Sequence, residues 1–181
     1  MLTLLVFILG LLIGSFLNVC TYRIPKDQSI SFPPSHCTSC ENNIKWYDLI
    51  PVISYIFLRG KCRYCNEKIS IRYPLIELTT GVLFSALYIE FDLTLTFVKY
   101  SVLVCFLIVI GMIDFDTTDI YSKTTYSGGL FGIIFLIIGW YYGEGITTYL
   151  YGSIIAGGVI SIIIILTNGM GWGDAELCAV I

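Results

Sequence analysis

Two aspartates stand at the ends of apolar segments and carry the first chemistry this sequence suggests. Asp114 closes one apolar run within Met112-Ile113-Asp114-Phe115-Asp116, and Asp174 closes another within Gly169-Met170-Gly171-Trp172-Gly173-Asp174. A carboxylate at the middle of a bilayer costs about 2.5–3.5 kcal/mol even on lenient scales, so an acid kept near that depth commonly has a function. Two carboxylates about 4 Å apart at an effective dielectric near 20 repel by about 4 kcal/mol, or roughly three pKa units. Such a pair shares one proton, so that one acid can activate water while the other protonates a peptide carbonyl oxygen. That is the minimum kit for aspartyl proteolysis, and neither acid needs a metal for it. Taken singly, each reads equally well as a solvated helix end, which is the expectation for Asp116 and Asp119. Gly171 and Gly173 are expected to permit a tight turn and close approach of a substrate backbone. Glu77 is either a solvated interfacial acid or a helper in the site.

A second constellation is the pair Cys37-Thr38-Ser39-Cys40 and Cys62-Arg63-Tyr64-Cys65, separated by 21 residues. That spacing is just beyond the usual span of about 15–20 for a four-cysteine zinc site. Each Cys-x-x-Cys turn can aim two thiolates at one tetrahedral ion, and zinc is the leading expectation. A redox pair and free structural thiols are the alternatives. His36 is expected to be incidental, and Cys20, Cys105 and Cys178 to be small packing residues.

The elements that must position these groups are membrane spans. The chain has 181 residues, 56% of them hydrophobic and only 13% charged, which excludes an ordinary soluble domain. The net charge of −3 gives no reason to expect a nucleic-acid partner. Apolar runs place spans at about 1–21, 74–91, 97–113, 125–142 and 147–167, with a sixth apolar segment starting at Ala175. The stretches between are read as a polar loop to about residue 73, a polar loop from Asp114 to Lys123, and a last one from Asn168 to Asp174. Gly143-Glu144-Gly145 is read as an outer turn. Eight of the ten Lys and Arg residues lie between Arg23 and Arg72, which predicts a cytosolic loop there and an N-terminus outside. Residues 1–20 have no basic front and no Ala-x-Ala-like cleavage site, so they are expected to remain as the first helix. One hairpin separates Asp114 from Asp174, so both should return to the same face of the bilayer. Glycines 128, 129, 132, 139, 152, 157 and 158 are expected at close helix contacts. No internal repeat stands out. The loop has too few apolar residues for a large core, which a metal would offset. Its Trp46, Tyr47 and the run Leu49 to Leu58 are expected against either the membrane or the helical bundle.

Beyond these separate readings the chain resembles bacterial type IV prepilin peptidases, the GxGD membrane aspartyl proteases that are bifunctional leader peptidase/N-methyltransferases. Gly14-Ser15-Phe16-Leu17-Asn18-Val19 with Arg23-Ile24-Pro25 resembles the family's opening. Trp46-Tyr47-Asp48, Ile50-Pro51, Leu58-Arg59-Gly60-Lys61-Cys62-Arg63 and Arg72-Tyr73-Pro74-x-x-Glu77 resemble its zinc loop, and the two acid motifs resemble its catalytic ones. The resemblance implies Asp114 and Asp174 as the catalytic pair and Cys37, Cys40, Cys62 and Cys65 as ligands of a structural Zn2+. It also implies prepilin or pseudopilin substrates cut at the cytosolic face, and methylation of the new N-terminus from S-adenosylmethionine. The chain departs from the family at Ile120-Tyr121-Ser122, where Ile-Pro-Asp or Ile-Pro-Asn is usual, and at Glu176, where Lys is common. It also ends seven residues after Asp174, so it is expected to be C-terminally truncated.

The expected fold is all-α: a polytopic transmembrane helical bundle in the bacterial inner membrane, with a small zinc-binding cytosolic loop domain. Its expected parts are a first transmembrane helix at 1–22, the four-cysteine loop at 23–73, and an incomplete peptidase domain at 74–181. Two other functions compete with the protease. One is an inactive module whose zinc loop binds pilin or assembly partners. The other is a thiol oxidoreductase.

Overall fold

The computed structural model describes residues 1–143, 145–167 and 171–180, without the side chains of Thr148 and Val180. Its helices are α1 (Leu2–Arg23), α2 (Ile53–Phe57), α3 (Arg72–Phe91), α4 (Leu95–Thr117), α5 (Ser122–Tyr141), α6 (Ile146–Thr167) and α7 (Trp172–Val180), with 3-10 turns at Ile24–Lys26 and Trp46–Leu49. No strand occurs among the described residues, and the fold is all-α. Among the described residues, five helices are long and apolar enough to cross a membrane: those over Leu2–Lys26, Arg72–Phe91, Leu95–Thr117, Ser122–Tyr141 and Tyr149–Thr167. Many of their large apolar side chains point outward, as lipid-facing residues do. The chain divides into two compact units, Met1–Ile108 and Val109–Ile181.

In the first unit α1 and α3 approach until their backbones touch. A Cβ on Gly10 would lie 2.7 Å from the Gly81 Cα, and one on Gly14 would lie 2.8 Å from the Glu77 Cα. Lipid offers no hydrophobic drive for helix association, so such close packing holds the pair together. The Asn18 side-chain amide adds hydrogen bonds to the carbonyls of Gly14 (3.2 Å) and Tyr73 (3.1 Å), tying the end of α1 to the start of α3. Farther along, Val6, Phe84 and Phe97 form a buried cluster, with Phe84 and Phe97 edge to face at 6.3 Å. Gly10→Ala is expected to cost about 1–3 kcal/mol by overpacking, since the atoms in its way are backbone. Gly132→Ala, whose Cβ would meet nothing, should stay within about 0.5 kcal/mol. Unfolding midpoints of the two variants in mixed micelles check this.

In the second unit α7 packs against α6 and α5. A Cβ on Gly157 of α6 would lie 2.8 Å from the Ala179 Cβ, the Ser153 hydroxyl donates to the Ala179 carbonyl, and the Tyr126 hydroxyl donates to Glu176 Oε1 at 3.4 Å. Gly157 is therefore at a helix contact, as expected. Gly132, Gly152 and Gly158 face open space, while approaches as tight as that of Gly157 fall at Gly10 and Gly14 of the first unit. Composition alone could not tell a packed glycine from an open one. Two span boundaries also move. α4 runs through Asp114 and Asp116 to Thr117, and α7 begins at Trp172, so both acids lie on helices and not in loops. Glu144 of the expected outer turn, and Asn168, Gly169 and Met170 of the expected last loop, lie outside the described residues.

Candidate functional sites in the two units

The four cysteines of the loop come together. Their Sγ atoms all lie within 4.8 Å of one another, with Cys37 to Cys65 at 3.8 Å and Cys40 to Cys62 at 4.0 Å. A disulfide would need about 2.05 Å, and all four are free thiols. A tetrahedral ion with zinc–sulfur bonds of about 2.3 Å sets its sulfurs about 3.8 Å apart, so the cluster fits structural zinc.

The local fold explains the convergence. Cys37 N–H bonds to the Asn42 carbonyl, Glu41 N–H to the Cys37 carbonyl and Ile44 N–H to the Ser35 carbonyl. Cys62, Asn66 and Ile69 repeat these bonds onto Glu67, Cys62 and Gly60. Glu41 and Asn66 both take positive φ, at 57° and 59°, and isolated bridges join His36 to Asn43 and Lys61 to Lys68. The loop is thus two copies of one knuckle, offset by 25 residues. The expectation of no internal repeat is corrected here. The signal was Cys-x-x-Cys-x-x-x-Ile, present at Cys37–Ile44 and Cys62–Ile69 but too short to stand out. Within the cluster, the Asn42 backbone N–H and then its side-chain amide hold the Cys40 thiol below its ordinary value. At Cys65 the Glu67 amide pulls down as well, but desolvation and the neighbouring sulfurs outweigh it and push the thiol up to about 12. Four crowded thiols cannot all ionise without a cation among them.

An ion pair braces the knuckles from outside. Arg63 grips Asp48 through two bonds, Nε to Oδ2 at 2.8 Å and Nη2 to Oδ1 at 2.6 Å, and its guanidinium lies 5.3 Å from the Tyr47 ring centroid. The Asp48 side chain is covered while Arg63 is half exposed. The Arg63 hydrogen bond, set against some desolvation, holds the Asp48 carboxyl below the usual carboxylate range. Stability from a depressed carboxyl is present above its unfolded value near 3.9 and is lost as pH falls through the lower folded value. Asp48→Asn should therefore melt the loop at a lower temperature than the native chain at about pH 6–7, with the gap narrowing toward about pH 3. Near-ultraviolet circular dichroism of Trp46 and Tyr47, with zinc in excess, checks the effect.

Glu77 is not a solvated acid. It is buried on α3, accepts the Val52 N–H at 2.8 Å, and is hydrogen-bonded by the Ser15 side chain of α1. Val52 sits at φ 61°, ψ −48°, with the Ile53 N–H bonded to the Pro51 carbonyl. This is the rare, strained form of γ-turn. A β-branched residue held there costs about 1–3 kcal/mol. The bond from the Val52 N–H to Glu77 works against that strain. Periodicity gave no sign of this turn. A cavity of about 440 Å3 opens beside it, lined by Ser15, Asn18, Cys37, Ser54, Tyr55 and Glu77 among others. Arg23 also lines it, but it is buried and spends its guanidinium on the Ser29 and Pro33 carbonyls, so it is a loop brace.

Both candidate acids lie in the second unit. Asp114 is exposed in the last turn of α4, its carbonyl receiving the Thr118 N–H at 2.7 Å. Asp174 is half-buried in the first turn of α7, where the helix dipole favours a negative charge. A Cβ on Gly173 would lie 2.8 Å from the Ile120 Cβ, so the residue before Asp174 meets the turn that follows Asp114. Gly173 thus serves a close approach within the chain, while Gly171 has no tight neighbour. Asp116 and Asp119 are exposed.

Spanning helices, a paired thiol knuckle and two acids on adjoining segments define a polytopic membrane protein with a metal-type cysteine cluster. Residues 8–91 match the family described as Bacterial Peptidase A24 N-terminal domain, and residues 101–181 match the Type IV leader peptidase family. A Myxococcus xanthus protein named prepilin leader peptidase/N-methyltransferase is 46% identical over 127 residues, covering 70% of this chain and 38% of that relative. A Neisseria gonorrhoeae protein of the same name is 38% identical over 156 residues, covering 73% and 54%. One from Bacillus subtilis is 34% identical over 186 residues, covering 98% of this chain and 71% of the relative. The chain belongs to the prepilin leader peptidase/N-methyltransferase family. It spans less than two thirds of the first two of these relatives. No solved structure matches it.

Proposed function

We propose that this protein is a membrane aspartyl endopeptidase that removes the short leader of type IV prepilins or pseudopilins. The observation that carries the reading is the meeting of Gly173 with Ile120, which supports bringing the two acid-bearing segments to one place. Asp114 and Asp174 share a proton. The ionised one takes a proton from water, whose oxygen attacks the scissile carbonyl. The other donates its proton to the carbonyl oxygen. Collapse of the tetrahedral intermediate returns a proton to the leaving amine. The site faces the cytosol of a multi-pass inner-membrane protein whose N-terminus is outside, in keeping with the eight cations between Arg23 and Arg72.

The relatives' names pair cleavage with N-methylation, and the same second activity is proposed here. The cavity beside Glu77 falls within the range of about 300–1,000 Å3 that small-molecule sites occupy. Its buried carboxylate has hydrogen-bond donors but no cationic side chain against it. A sulfonium cation beside that carboxyl would favour its ionised form, so Glu77, Ser15 and Tyr55 would hold S-adenosylmethionine, which supplies the methyl group. Cys37, Cys40, Cys62 and Cys65 would hold a structural Zn2+ that fixes the cavity wall. The test is co-expression with a prepilin and mass spectrometry of the pilin N-terminus. Leader loss with the native chain, and none with Asp114→Asn or Asp174→Asn, is the expected result. Binding without cleavage by the native chain would overturn the protease in favour of an inactive pilin-binding module.

A further inference from the structure

The loop carries a surface that neither the metal cluster nor the acids use. Ile53, Ile56 and Phe57 of α2 are 51%, 67% and 82% exposed, and Trp46 just upstream is 78% exposed. In a water-facing loop such a cluster would be a liability.

Its depth shows why it is not one. The N–H of Val52, one residue before α2, reaches the Glu77 carboxylate, which also meets Ser15. Glu77 lies five residues into α3, about 7.5 Å below Arg72 at 1.5 Å per residue. Ser15 lies eight residues before the end of α1, about 12 Å below Arg23. The chain therefore dips from the knuckles to a level well inside the two spanning helices, turns through the strained γ-turn, and climbs back along α2. Its polar backbone is covered on one side: Ser54, Ile56, Leu58 and Gly60 N–H groups bond to the carbonyls of Ile50, Val52, Ser54 and Tyr55. Non-helical backbone survives at membrane depth only where protein supports it, and Glu77 gives that support to Val52.

We propose that the segment from Ile50 to Leu58 is a re-entrant anchor whose occupied partner is the bilayer itself. Ile53, Ile56 and Phe57 lie among the upper acyl chains of the loop-side leaflet. Trp46 sits at the headgroup level, and Lys45, Arg59 and Lys61, all exposed, face anionic headgroups. This clamps the metal knuckles to the membrane surface by a third attachment besides α1 and α3. Interfacial elements of this kind bury their apolar face by about 5–10 Å, which agrees with the depth set by Glu77.

The full chain in phosphatidylcholine/phosphatidylglycerol nanodiscs provides the test. Phe57→Trp is placed in a background of Trp46→Phe, Trp140→Phe and Trp172→Phe, with Ile56→Trp as a second reporter and helicity by circular dichroism as the folding control. Bromines near the top of the acyl chains should quench either reporter roughly twofold more than bromines near the chain ends, with little quenching by aqueous iodide. Strong iodide quenching with no effect of brominated lipid overturns the proposal. So does iodide quenching relieved only by an added apolar helical peptide, which would make the surface a peptide-docking site.

Discussion

Asp114→Asn and Asp174→Asn should each lower leader cleavage by at least about 10²-fold, the smallest loss expected when one partner of a general acid–base pair is removed. The double variant should be little worse than either single one. In the proposed mechanism the two acids act as a unit on one proton, and residues that act together do not add. Asn keeps the shape and hydrogen-bonding reach of the side chain but cannot exchange a proton, so α4 and α7 should fold unchanged. Asp119→Asn, on the exposed turn beyond α4, should leave cleavage within about twofold. A time course of prepilin processing in detergent, read by gel shift and mass spectrometry, separates these outcomes. Cleavage surviving in either single variant would remove that acid from the mechanism.

What the sequence revealed depended on the range of the signal. Membrane spans are continuous apolar runs, so all five spanning helices were legible from hydropathy alone. Paired cysteines have a spacing set by ligand geometry, so the Sγ cluster was legible too. The ends of α4 and α7 were not, because the apolar signal stops at Asp114 and Asp174 while helical hydrogen bonding ignores polarity and continues through them. The role of Glu77 is not legible because a carboxyl group near a helix start carries no local mark of its partner. Val52, 25 residues earlier, and Ser15 on another helix decide it. The bidentate grip of Arg63 on Asp48 was hidden for the same reason: it joins positions 15 residues apart across a metal-shaped loop. Glycine density in the later helices does not mark the contacts either: Gly157 is packed while Gly132, Gly152 and Gly158 are open, and the close approaches at Gly10 and Gly14 lie in the glycine-poor first unit.

Stripping zinc should unfold the knuckles while leaving the spanning helices intact. The loop's side chains at Trp46, Ile53, Ile56 and Phe57 point outward and not into a core of its own, so the knuckles at residues 35–44 and 60–69 rest on short backbone bonds, the four thiols and the Arg63–Asp48 pair. Structural zinc supplies about 10–16 kcal/mol in small peptides at neutral pH, more than the whole stability of a typical domain. Cys40→Ser, or a strong chelator, should therefore abolish stoichiometric zinc and open the loop to trypsin at Arg59, Lys61 and Arg63. The acid-bearing unit, from Val109 onward, is a separate compact body and should keep its helical signal. The consequence for function then divides. Methylation, whose proposed cavity includes Cys37 in its wall, should fall with the metal, whereas the proton chemistry of Asp114 and Asp174 has no part for zinc. Metal analysis, limited proteolysis and the two activities measured on one preparation decide the matter. A chain that loses zinc yet keeps its loop protected from trypsin would show that the cysteines are ordinary packing thiols.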